Sequence, residues 1–431
     1  MSPGRREFLK TAGLNAGLLL TGPRLLAGRS HRAPAIGRNA PEITVIGAGA
    51  FGGWTAYWLQ RMGAQVTLVD EYGPGNSRAT SGDETRGVRS SYGDRPYPDL
   101  WVTWAHEASR RWKAFDEEWS RDMKVRLFFT TGDLIFRAEE TAFTRRALEY
   151  WRKHGIRHET PSVADVQREY PAFDLRELTV ALYEPEAGVV RARRACEVVA
   201  EAFQQLGGEV RIGRAVMGAQ QGRELRAVEL TGPSASLRSG IFVFALGPWF
   251  PTAFPGLMGE RIRTPMGHVH YFGTPPGNAS FTYPNLPSWN FPGVTGWPAL
   301  PVDNRGFRVR NSGDRLFTPD LSPRAFDRRH DRRPRQLLRD RFPLLARAPL
   351  LETRACHYEA STSGNFIIDK HPDYDNVWIA GGGSAEGFKF GPVVGEYVAK
   401  RVLGDPGDPE IAESFSLEMS DPMDPPPGTA R

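Results

Sequence analysis

The chain has 431 residues with 55 basic and 50 acidic side chains, and its net charge of +5 is spread along the sequence. A dispersed charge of this size argues against a nucleic-acid partner, and the length allows two domains. The two cysteines exclude a disulfide framework, and no spacing of Cys and His predicts a metal site.

The first 38 residues are interpreted as an export leader and linker outside the fold. Arg5 and Arg6 precede a Phe-Leu-Lys sequence, and a small apolar segment follows over residues 11–22. This segment is too short to span a bilayer, which needs about 20 residues. The twin arginine predicts a Tat signal, hence export of the folded chain by the Tat machinery to a periplasmic or extracytoplasmic location in a bacterium. The alternative is a basic N-terminus without a targeting role.

Residues 43–70 have the pattern of a dinucleotide-binding unit. A β-branched strand over residues 43–46 is followed by Gly47, Gly49 and Gly52 in G-x-G-x-x-G spacing, a helix, and a second strand that ends on Asp70. The glycines suit a tight turn and close approach to a pyrophosphate, and the helix N-terminus offers free N–H groups. Asp70 is placed to accept hydrogen bonds from ribose hydroxyls. An acid at this position disfavours NADP and leaves FAD or NAD.

The rest of the chain is predicted to mix helices with short strands. Helical spacing occurs over residues 100–119, 141–154, 162–170, 195–206, 324–345 and 391–403. The continuous apolar run 241–246 predicts a strand inside a parallel sheet, whereas residues 127–137, which alternate around Gly132, predict a hairpin. Residues 262–313 predict an antiparallel sheet. The Gly- and Ser-rich stretch 71–93 predicts a long functional loop.

Four segments make the sequence resemble the FAD-dependent D-amino-acid-oxidase superfamily. They are GAGAFGG at 47–53, ATSGDETRGVRSSYG at 79–93, FALGPW at 244–249 and the block at 356–396. Within that superfamily the chain is most similar to the branch of monomeric sarcosine oxidase, N-methyltryptophan oxidase and pipecolate oxidase. The resemblance covers residues 42 to about 404, with a looser match in the middle.

The resemblance implies a mixed α/β (α+β) fold, in which a Rossmann-like FAD-binding domain is interleaved with an antiparallel-sheet substrate domain. The FAD-binding domain is expected at residues 42–100, 175–261 and 351–405. The substrate domain is expected at residues 101–174 and 262–350, and a tail follows at 406–431.

The cofactor implied by the resemblance is FAD. Its expected binding residues are Gly47, Gly49, Ala50, Phe51, Gly52, Asp70, Thr80, Ser81, Arg86, Val216, Gly247, Cys356, Gly383, Gly387 and Lys389. Thr80 and Ser81 would donate to phosphate oxygens, and Val216 would give backbone contacts to adenine. The backbone of residues 381–383 would lie near the flavin pyrimidine.

Cys356 matches the cysteine that bonds covalently to the 8α-methyl group of the flavin in this branch. A thiolate is a suitable nucleophile for that thioether. The alternative is a buried structural cysteine. Cys196 lies in a helical pattern and is expected in the core.

Arg89 and Lys389 match the two cations that bind the substrate carboxylate in the sarcosine-oxidase branch. An arginine fork with a lysine point charge suits one carboxylate in a dry pocket, although either residue could instead form a surface ion pair. Two positions depart from the family. Arg308 stands where the family has a lysine over the flavin that assists reaction with oxygen, and Glu386 replaces a histidine.

The predicted reaction is FAD-dependent oxidation of the C–N bond of a secondary, N-methyl or cyclic amino acid. The substrate delivers a hydride to flavin N5, and the imine then hydrolyses. Oxygen, giving peroxide, or another electron acceptor reoxidises the flavin. The alternatives are a flavin-carrying electron-transfer subunit or dehydrogenase, an NAD-dependent dehydrogenase, and a non-catalytic binding protein. Candidate aromatic residues lining the pocket are Tyr271, Trp289 and Trp297.

Overall fold

The computed structural model describes residues 37, 39–231, 235–302, 305–311, 313, 318–326 and 328–420, without the side chain of Cys356. The predicted leader lies outside these residues except for residue 37. The helices are α1 (Ala50–Arg61), α2 (Pro98–Met123), α3 (Ala142–Lys153), α4 (Val163–Glu169), α5 (Ala192–Gln205), α6 (Phe250–Ala253), α7 (Pro255–Met258), α8 (Arg332–Arg341), α9 (Gly387–Val402) and α10 (Pro409–Ser414).

The strands are short and occur throughout the described chain. They are β1 (Glu42–Ile46), β2 (Gln65–Asp70), β3 (Arg86–Val88), β4 (Phe128–Phe129), β5 (Asp133–Arg137), β6 (Val180–Glu184), β7 (Gly188–Val190), β8 (Glu209–Ile212), β9 (Arg214–Met217), β10 (Gln220–Gln221), β11 (Glu224–Leu225), β12 (Ala227–Thr231), β13 (Ala235–Arg238), β14 (Ile241–Phe244), β15 (Ile262–Arg263), β16 (Met266–Phe272), β17 (Ser288–Phe291), β18 (Val294–Trp297), β19 (Phe307–Asn311), β20 (Leu350–His357), β21 (Ala360–Ser361), β22 (Ile367–Lys370) and β23 (Val377–Gly381).

A six-stranded sheet collects strands from the beginning, middle and end of the chain. Its order is β22-β23-β14-β1-β2-β8, in which β22 is antiparallel and the other strands are parallel. Strands β14 and β1 lie at the centre of this sheet. Their side chains are apolar and buried, as expected for parallel strands that are covered on both faces. The predicted parallel strand near residue 241 is therefore confirmed.

Helices α1 and α9 pack closely against each other beside this sheet. A Cβ added at Gly395 would lie 2.5 Å from the Cβ of Trp54, and one at Gly391 would lie 2.5 Å from the Trp54 ring. Larger side chains at these positions would separate the two helices. The glycines therefore act through close packing, which outweighs their low helix propensity.

A seven-stranded sheet forms the second large layer, in the order β20-β16-β19-β18-β17-β5-β6. Its pairs are antiparallel except for β17 with β5. This sheet confirms the antiparallel prediction for most of residues 262–313. A small sheet of β3, β7 and β4 carries the loop that leads to Arg89.

The hairpin predicted at residues 127–137 is wrong. Strand β4 pairs with β7, whereas β5 pairs with β17 and β6. Gly132, at a φ of +67°, lies between the two strands, which belong to different sheets. Alternation identifies strands locally, but the choice of partner depends on distant parts of the chain.

Three predicted helices have clearly different bounds in the structure, and one of them, α2, ends at Met123, four residues beyond its predicted end. Within the described part of segment 324–345 the only α-helix is α8, which ends at Arg341 because Pro343 disfavours helical geometry at Phe342. Helix α9 starts at Gly387, four residues before its predicted start. Within the described ranges, no helix is long and apolar enough to cross a membrane.

Candidate active site

A cleft lies at the carboxyl ends of the parallel strands. Ile46 and Asp70 line it at the ends of β1 and β2, and Ala245 lines it just after β14. Gly383 and Gly387 line it at the start of α9. We call this space the main cleft. Its position is the usual one for a ligand in an open α/β sheet.

The turn between β1 and α1, which lines the main cleft, allows a ligand to approach the backbone closely. Gly47 has a φ of +104°, and a Cβ there would lie 2.3 Å from the Ala245 carbonyl oxygen. A Cβ at Gly52 would lie 1.8 Å from the Gly47 carbonyl oxygen. Gly49, the N-cap residue of α1, has no capping side chain, and the first N–H of the helix, that of Ala50, donates to Ser81 Oγ at 3.0 Å. Ser81 therefore stands at the helix N-terminus, where an anion is favoured.

Asp70 fixes this turn as well as lining the cleft. Its carboxylate accepts hydrogen bonds from the backbone N–H groups of Ala48 at 2.8 Å and of Tyr72 and Gly73 at 2.9 Å. Burial raises the pKa of Asp70, although these N–H donors oppose the rise. The predicted acid therefore lies at the cleft and organises the loop around it.

Most of the predicted cofactor residues line the main cleft together. Those that do so are Gly47, Gly49, Ala50, Phe51, Asp70, Thr80, Ser81, Arg86, Gly247, Gly383 and Gly387. Gly52 packs behind the turn. Val216 is 43% exposed and does not line the cleft, although its neighbours Arg214 and Ala215 do. Its contact with adenine stays a prediction.

Cys356 lies in β20, where its backbone pairs with Gly267 of β16. Its side chain is outside the described part of the structure, so the predicted flavin bond stays a prediction. Cys196 is buried in α5, as expected for a core residue.

The residues at the start of α9 form a tightly paired group beside the main cleft. Lys389 Nζ donates to Glu386 Oε2 at 2.5 Å and to the Glu386 carbonyl oxygen at 2.9 Å, and the Tyr92 hydroxyl donates to Glu386 Oε2 at 2.7 Å. The residues on both sides of Glu386, Ala385 and Gly387, line the cleft. The predicted substrate lysine is thus already paired with an internal carboxylate.

Burial and charge act in opposite directions on this pair. Burial lowers the pKa of Lys389 to about 8, although Glu386 opposes that change. Burial also disfavours ionised Glu386, but Lys389, Arg89 and Arg95 hold its pKa well below the usual range. Glu386 is therefore a fixed negative charge at neutral pH.

Arg89 directly follows β3. Among the described residues, nothing forms a side-chain hydrogen bond or ion pair with it. A Cβ at Gly87 would lie 3.3 Å from both Arg89 Nη1 and the Trp297 ring, so the guanidinium and the indole both lie next to Gly87. Burial opposes its charge, but Tyr92 and the acids Asp133, Glu386 and Glu184 raise its pKa. Arg89 is a charged group available to an anionic ligand.

Arg308 belongs to a second buried ion-pair network. It is 1% exposed, lies 3.8 Å above the Trp297 ring, and donates to Asp83 at 3.1 Å. Its Nε and Nη1 have no protein partner. Asp83 also pairs with Arg86, which lines the main cleft. Burial opposes ionisation of Asp83, but the two arginines lower its pKa to about 2.

The aromatic candidates lie in different environments. The Trp297 ring lies under Arg308 and next to Gly87, and the Tyr271 hydroxyl is 3.3 Å from both the Thr85 hydroxyl and Asp83 Oδ1. Trp289, by contrast, is fully buried against Phe307 and Phe342 in the core.

Sequence reasoning missed two buried acids at the site, Asp83 and Glu359. Glu359 lines the main cleft, and its Oε1 accepts from the Gly383 N–H at 2.9 Å. Burial raises the pKa of Glu359 to about 7. Its only signal in the sequence was its place three residues after Cys356, which suits an exposed strand end equally well. Asp83 lies in the loop with Arg86, but its distant partner Arg308 was not readable.

The sequence matches the FAD dependent oxidoreductase family over residues 42–401. The chain belongs to this family. The N-terminus of α1, the close approach of Gly47 and Gly52 to the backbone, and Asp70 fit the cofactor of that family, which supplies a two-electron acceptor when bound. A search for metal-binding groups of His, Cys, Asp and Glu finds none in the described ranges.

Two curated relatives and one solved structure show how far the similarity extends. The chain is 27% identical to human peroxisomal sarcosine oxidase, covering 82% of this chain and 90% of that protein. It is 22% identical to N-methyl-L-tryptophan oxidase of Yersinia pestis, covering 87% and 98%. The fold matches fructosamine oxidase from Aspergillus fumigatus with a TM-score of 0.76 and 18% identity, covering 89% and 91%.

Proposed function

We propose that this FAD-dependent oxidoreductase oxidises the C–N bond of a secondary, N-methyl or cyclic amino acid. The observation that carries the proposal is the Arg89 guanidinium, which forms no side-chain hydrogen bond or ion pair among the described residues and lies close enough to Glu386 for the two charges to interact. The names of the relatives, a sarcosine oxidase and an N-methyl-L-tryptophan oxidase, support a substrate that has both a carboxylate and a substituted amine.

In this proposal Arg89 anchors the substrate carboxylate through its two-pronged fork. Trp297 gives the substrate an apolar wall and excludes water from the ion pair. Glu386, held by Lys389 and Tyr92, provides negative charge where the substrate nitrogen would lie. Together these residues fix the reacting C–H bond, and orientation of this kind can supply much of the rate enhancement.

Anaerobic bleaching of the flavin tests the substrate class. Sarcosine, N-methyl-L-tryptophan, L-pipecolate and L-proline should be compared with amines that lack the carboxylate. We expect at least one amino acid to bleach the flavin, and Arg89→Lys to raise its KM at least about tenfold, because lysine cannot bind the carboxylate bidentately. Arg110→Lys, on the exposed side of α2, is the matched control. Bleaching by the simple amines alone would contradict the proposal.

We infer that Cys356 carries the flavin covalently, which rests on its match to the family motif. Acid precipitation of the holoenzyme tests this inference. Flavin should stay in the protein pellet for the wild type and for Cys196→Ala, whereas Cys356→Ala should release it to the supernatant. A yellow supernatant from the wild type would show that the flavin is not covalently bound.

Oxygen is our first choice of electron acceptor, and a separate protein acceptor is the alternative. Arg308 stands where the family has a lysine, and it is paired with Asp83. Because arginine does not replace lysine chemically, a protein acceptor stays the alternative to oxygen. Peroxide formation during turnover would support an oxidase. Turnover that needs an added dye and yields no peroxide would support a dehydrogenase or an electron-transfer subunit.

We also propose Tat-dependent export to a periplasmic or extracytoplasmic location, on the basis of Arg5 and Arg6. A reporter fused to the first 38 residues should be exported, and replacement of both arginines by lysine should retain it in the cytoplasm. Export that is unaffected by the double replacement would contradict the proposal.

A further inference from the structure

The residue after Arg89 is held by a buried carboxyl from a distant strand. Glu184, the last residue of β6, accepts from the Ser90 backbone N–H at 2.9 Å and from the Ser90 hydroxyl at 2.6 Å. Trp151 Nε1 in turn donates to that hydroxyl at 2.9 Å. Glu184 is 3% exposed, and the other two residues are fully buried. The proposed reaction gives this carboxyl no role.

The Ser90 N–H that Glu184 holds belongs to the peptide group between Arg89 and Ser90. The backbone pairing of β3 with β7 ends at Val88, which lies opposite Gly188. Arg89 therefore lies between the end of that ladder and the contact with Glu184. Because a buried N–H group needs an acceptor, this contact fixes the orientation of the peptide group that follows Arg89.

The Arg89 side chain depends on this anchor, because its guanidinium forms no side-chain hydrogen bond or ion pair among the described residues. Its Nη1 lies next to Gly87, where an added Cβ would approach it to 3.3 Å. A guanidinium placed by packing alone moves with its own backbone. A two-pronged contact with a carboxylate, however, needs both N–H groups in position. The position of the guanidinium is therefore set through the main chain.

Glu184 also connects the Arg89 segment to the seven-stranded sheet. It lies directly opposite Asp133 of β5 in the register of that sheet. The Ala187 N–H donates to the Glu184 carbonyl oxygen at 3.3 Å in the turn that leads to β7, and β7 pairs with β3. Glu184 is thus linked to the segment on both sides of Arg89, through β7 and through Ser90.

We propose that Glu184 is a positioning residue for substrate binding. By holding the Ser90 N–H and hydroxyl, it keeps the Arg89 guanidinium oriented for a two-pronged contact with the substrate carboxylate. This inference rests on the proposed function, in which Arg89 anchors that carboxylate. The reach of the Glu184 side chain is what matters, because a displaced guanidinium loses one of its two charge-assisted hydrogen bonds. Such a loss weakens binding at least about tenfold.

Two replacements of Glu184 separate its reach from its charge. Glu184→Asp keeps the carboxyl but shortens the side chain by one methylene, so the carboxyl cannot reach Ser90 unless the segment moves. Glu184→Gln keeps the length and an acceptor oxygen. At pH 6 glutamine also matches the charge, because burial raises the pKa of Glu184 to about 7 and leaves the carboxyl mostly protonated.

The matched control is Asp369→Ala in β22, an edge strand of the six-stranded sheet. Asp369 Oδ2 accepts from the Leu417 N–H at 3.0 Å, so this variant also leaves a backbone N–H without its carboxylate partner. It does so away from Arg89. The control therefore reports the effect of lost stability alone.

Acetate titration of the holoenzyme at pH 6, followed by flavin absorbance, measures the effect. We expect the dissociation constant to rise at least about tenfold in Glu184→Asp and to stay within about threefold of the wild type in Glu184→Gln and Asp369→Ala. Acetamide, which has no carboxylate, should show no difference among the four proteins. With an amino acid that bleaches the flavin, KM should change as acetate binding does, while kcat changes less than about threefold.

Equal acetate binding in the wild type and in a folded Glu184→Asp variant would overturn the proposal, as would a tenfold weakening in Glu184→Gln. Ser90→Ala is the second variant, in case Glu184→Asp does not fold. It removes the hydroxyl contact but keeps the N–H, so we expect a dissociation constant about threefold higher. No increase in this variant would also overturn the proposal.

The proposed function fails in a different way. Arg89→Lys belongs in the same acetate titration, and acetate binding that this variant leaves unchanged would refute Arg89 as the carboxylate anchor. Weakened binding in Arg89→Lys together with unchanged binding in Glu184→Asp would refute only the positioning role of Glu184.

Discussion

Glu386→Gln should increase the affinity of the active site for carboxylates. In the structure Glu386 neutralises Lys389 through the 2.5 Å contact, so Lys389 is not available to a ligand carboxylate, whereas Arg89 has no ion pair among the described residues. Glutamine keeps the volume and can still accept a hydrogen bond from Lys389, but it carries no charge. Lys389 then becomes available as a second cation for the ligand.

The size of the gain follows from the geometry of the pair. Two unit charges about 4 Å apart attract by about 4 kcal/mol at an effective dielectric constant of about 20. After desolvation, a hydrogen bond to a charged group retains about 1.5–3 kcal/mol. The dissociation constant for a carboxylate should therefore fall about 10- to 100-fold.

Acetate titration of the holoenzyme, followed by flavin absorbance, measures this change. Burial already lowers the pKa of Lys389 to about 8, and removal of Glu386 takes away a charge that raises it. The gain should hence be larger at pH 6 than at pH 9. Acetamide, which has no charge, is the matched ligand control, and Lys389→Met in the Glu386→Gln background should abolish the gain. Acetate binding no tighter than wild type at pH 6 would refute the reasoning.

Three further changes test other parts of the site. Gly47→Ala should abolish FAD retention, since its Cβ would meet the Ala245 carbonyl oxygen at 2.3 Å; retention of flavin at the wild-type level would contradict this. Asp83→Asn should lower the free energy of unfolding by about 3–5 kcal/mol in denaturant titration, because it leaves Arg308 buried and unpaired. The lowered pKa of Asp83 also predicts that the wild type loses about 2 kcal/mol between pH 4 and 2, a loss that the variant should lack. The pKa of Glu184 is instead raised to about 7, so its contribution to the free energy of unfolding falls as the pH rises from about 4.5 to 7. Glu184→Gln should therefore make the melting temperature less dependent on pH over that range.

Local patterns determined the nucleotide-binding part of the protein. The glycines at 47, 49 and 52, the apolar strands and Asp70 lie within 28 consecutive residues. Their spacing therefore predicted the strand, turn, helix and strand in order. The apolar run at 241–246 likewise predicted a central parallel strand, because burial on both faces leaves a direct trace in the residue types.

The tertiary structure decided which charges meet. The sequence offered Arg89, Lys389 and Glu386 as candidates, but it could not show that Glu386 pairs with Lys389 and leaves Arg89 unpaired. Asp83 and Arg308 lie 225 residues apart in the chain and 3.1 Å apart in the fold. The energy of a Coulomb interaction depends on the distance between the charges and on their burial, and the residue types alone give neither. For the same reason the sequence did not show that Glu359 lines the main cleft and accepts a hydrogen bond from the Gly383 N–H.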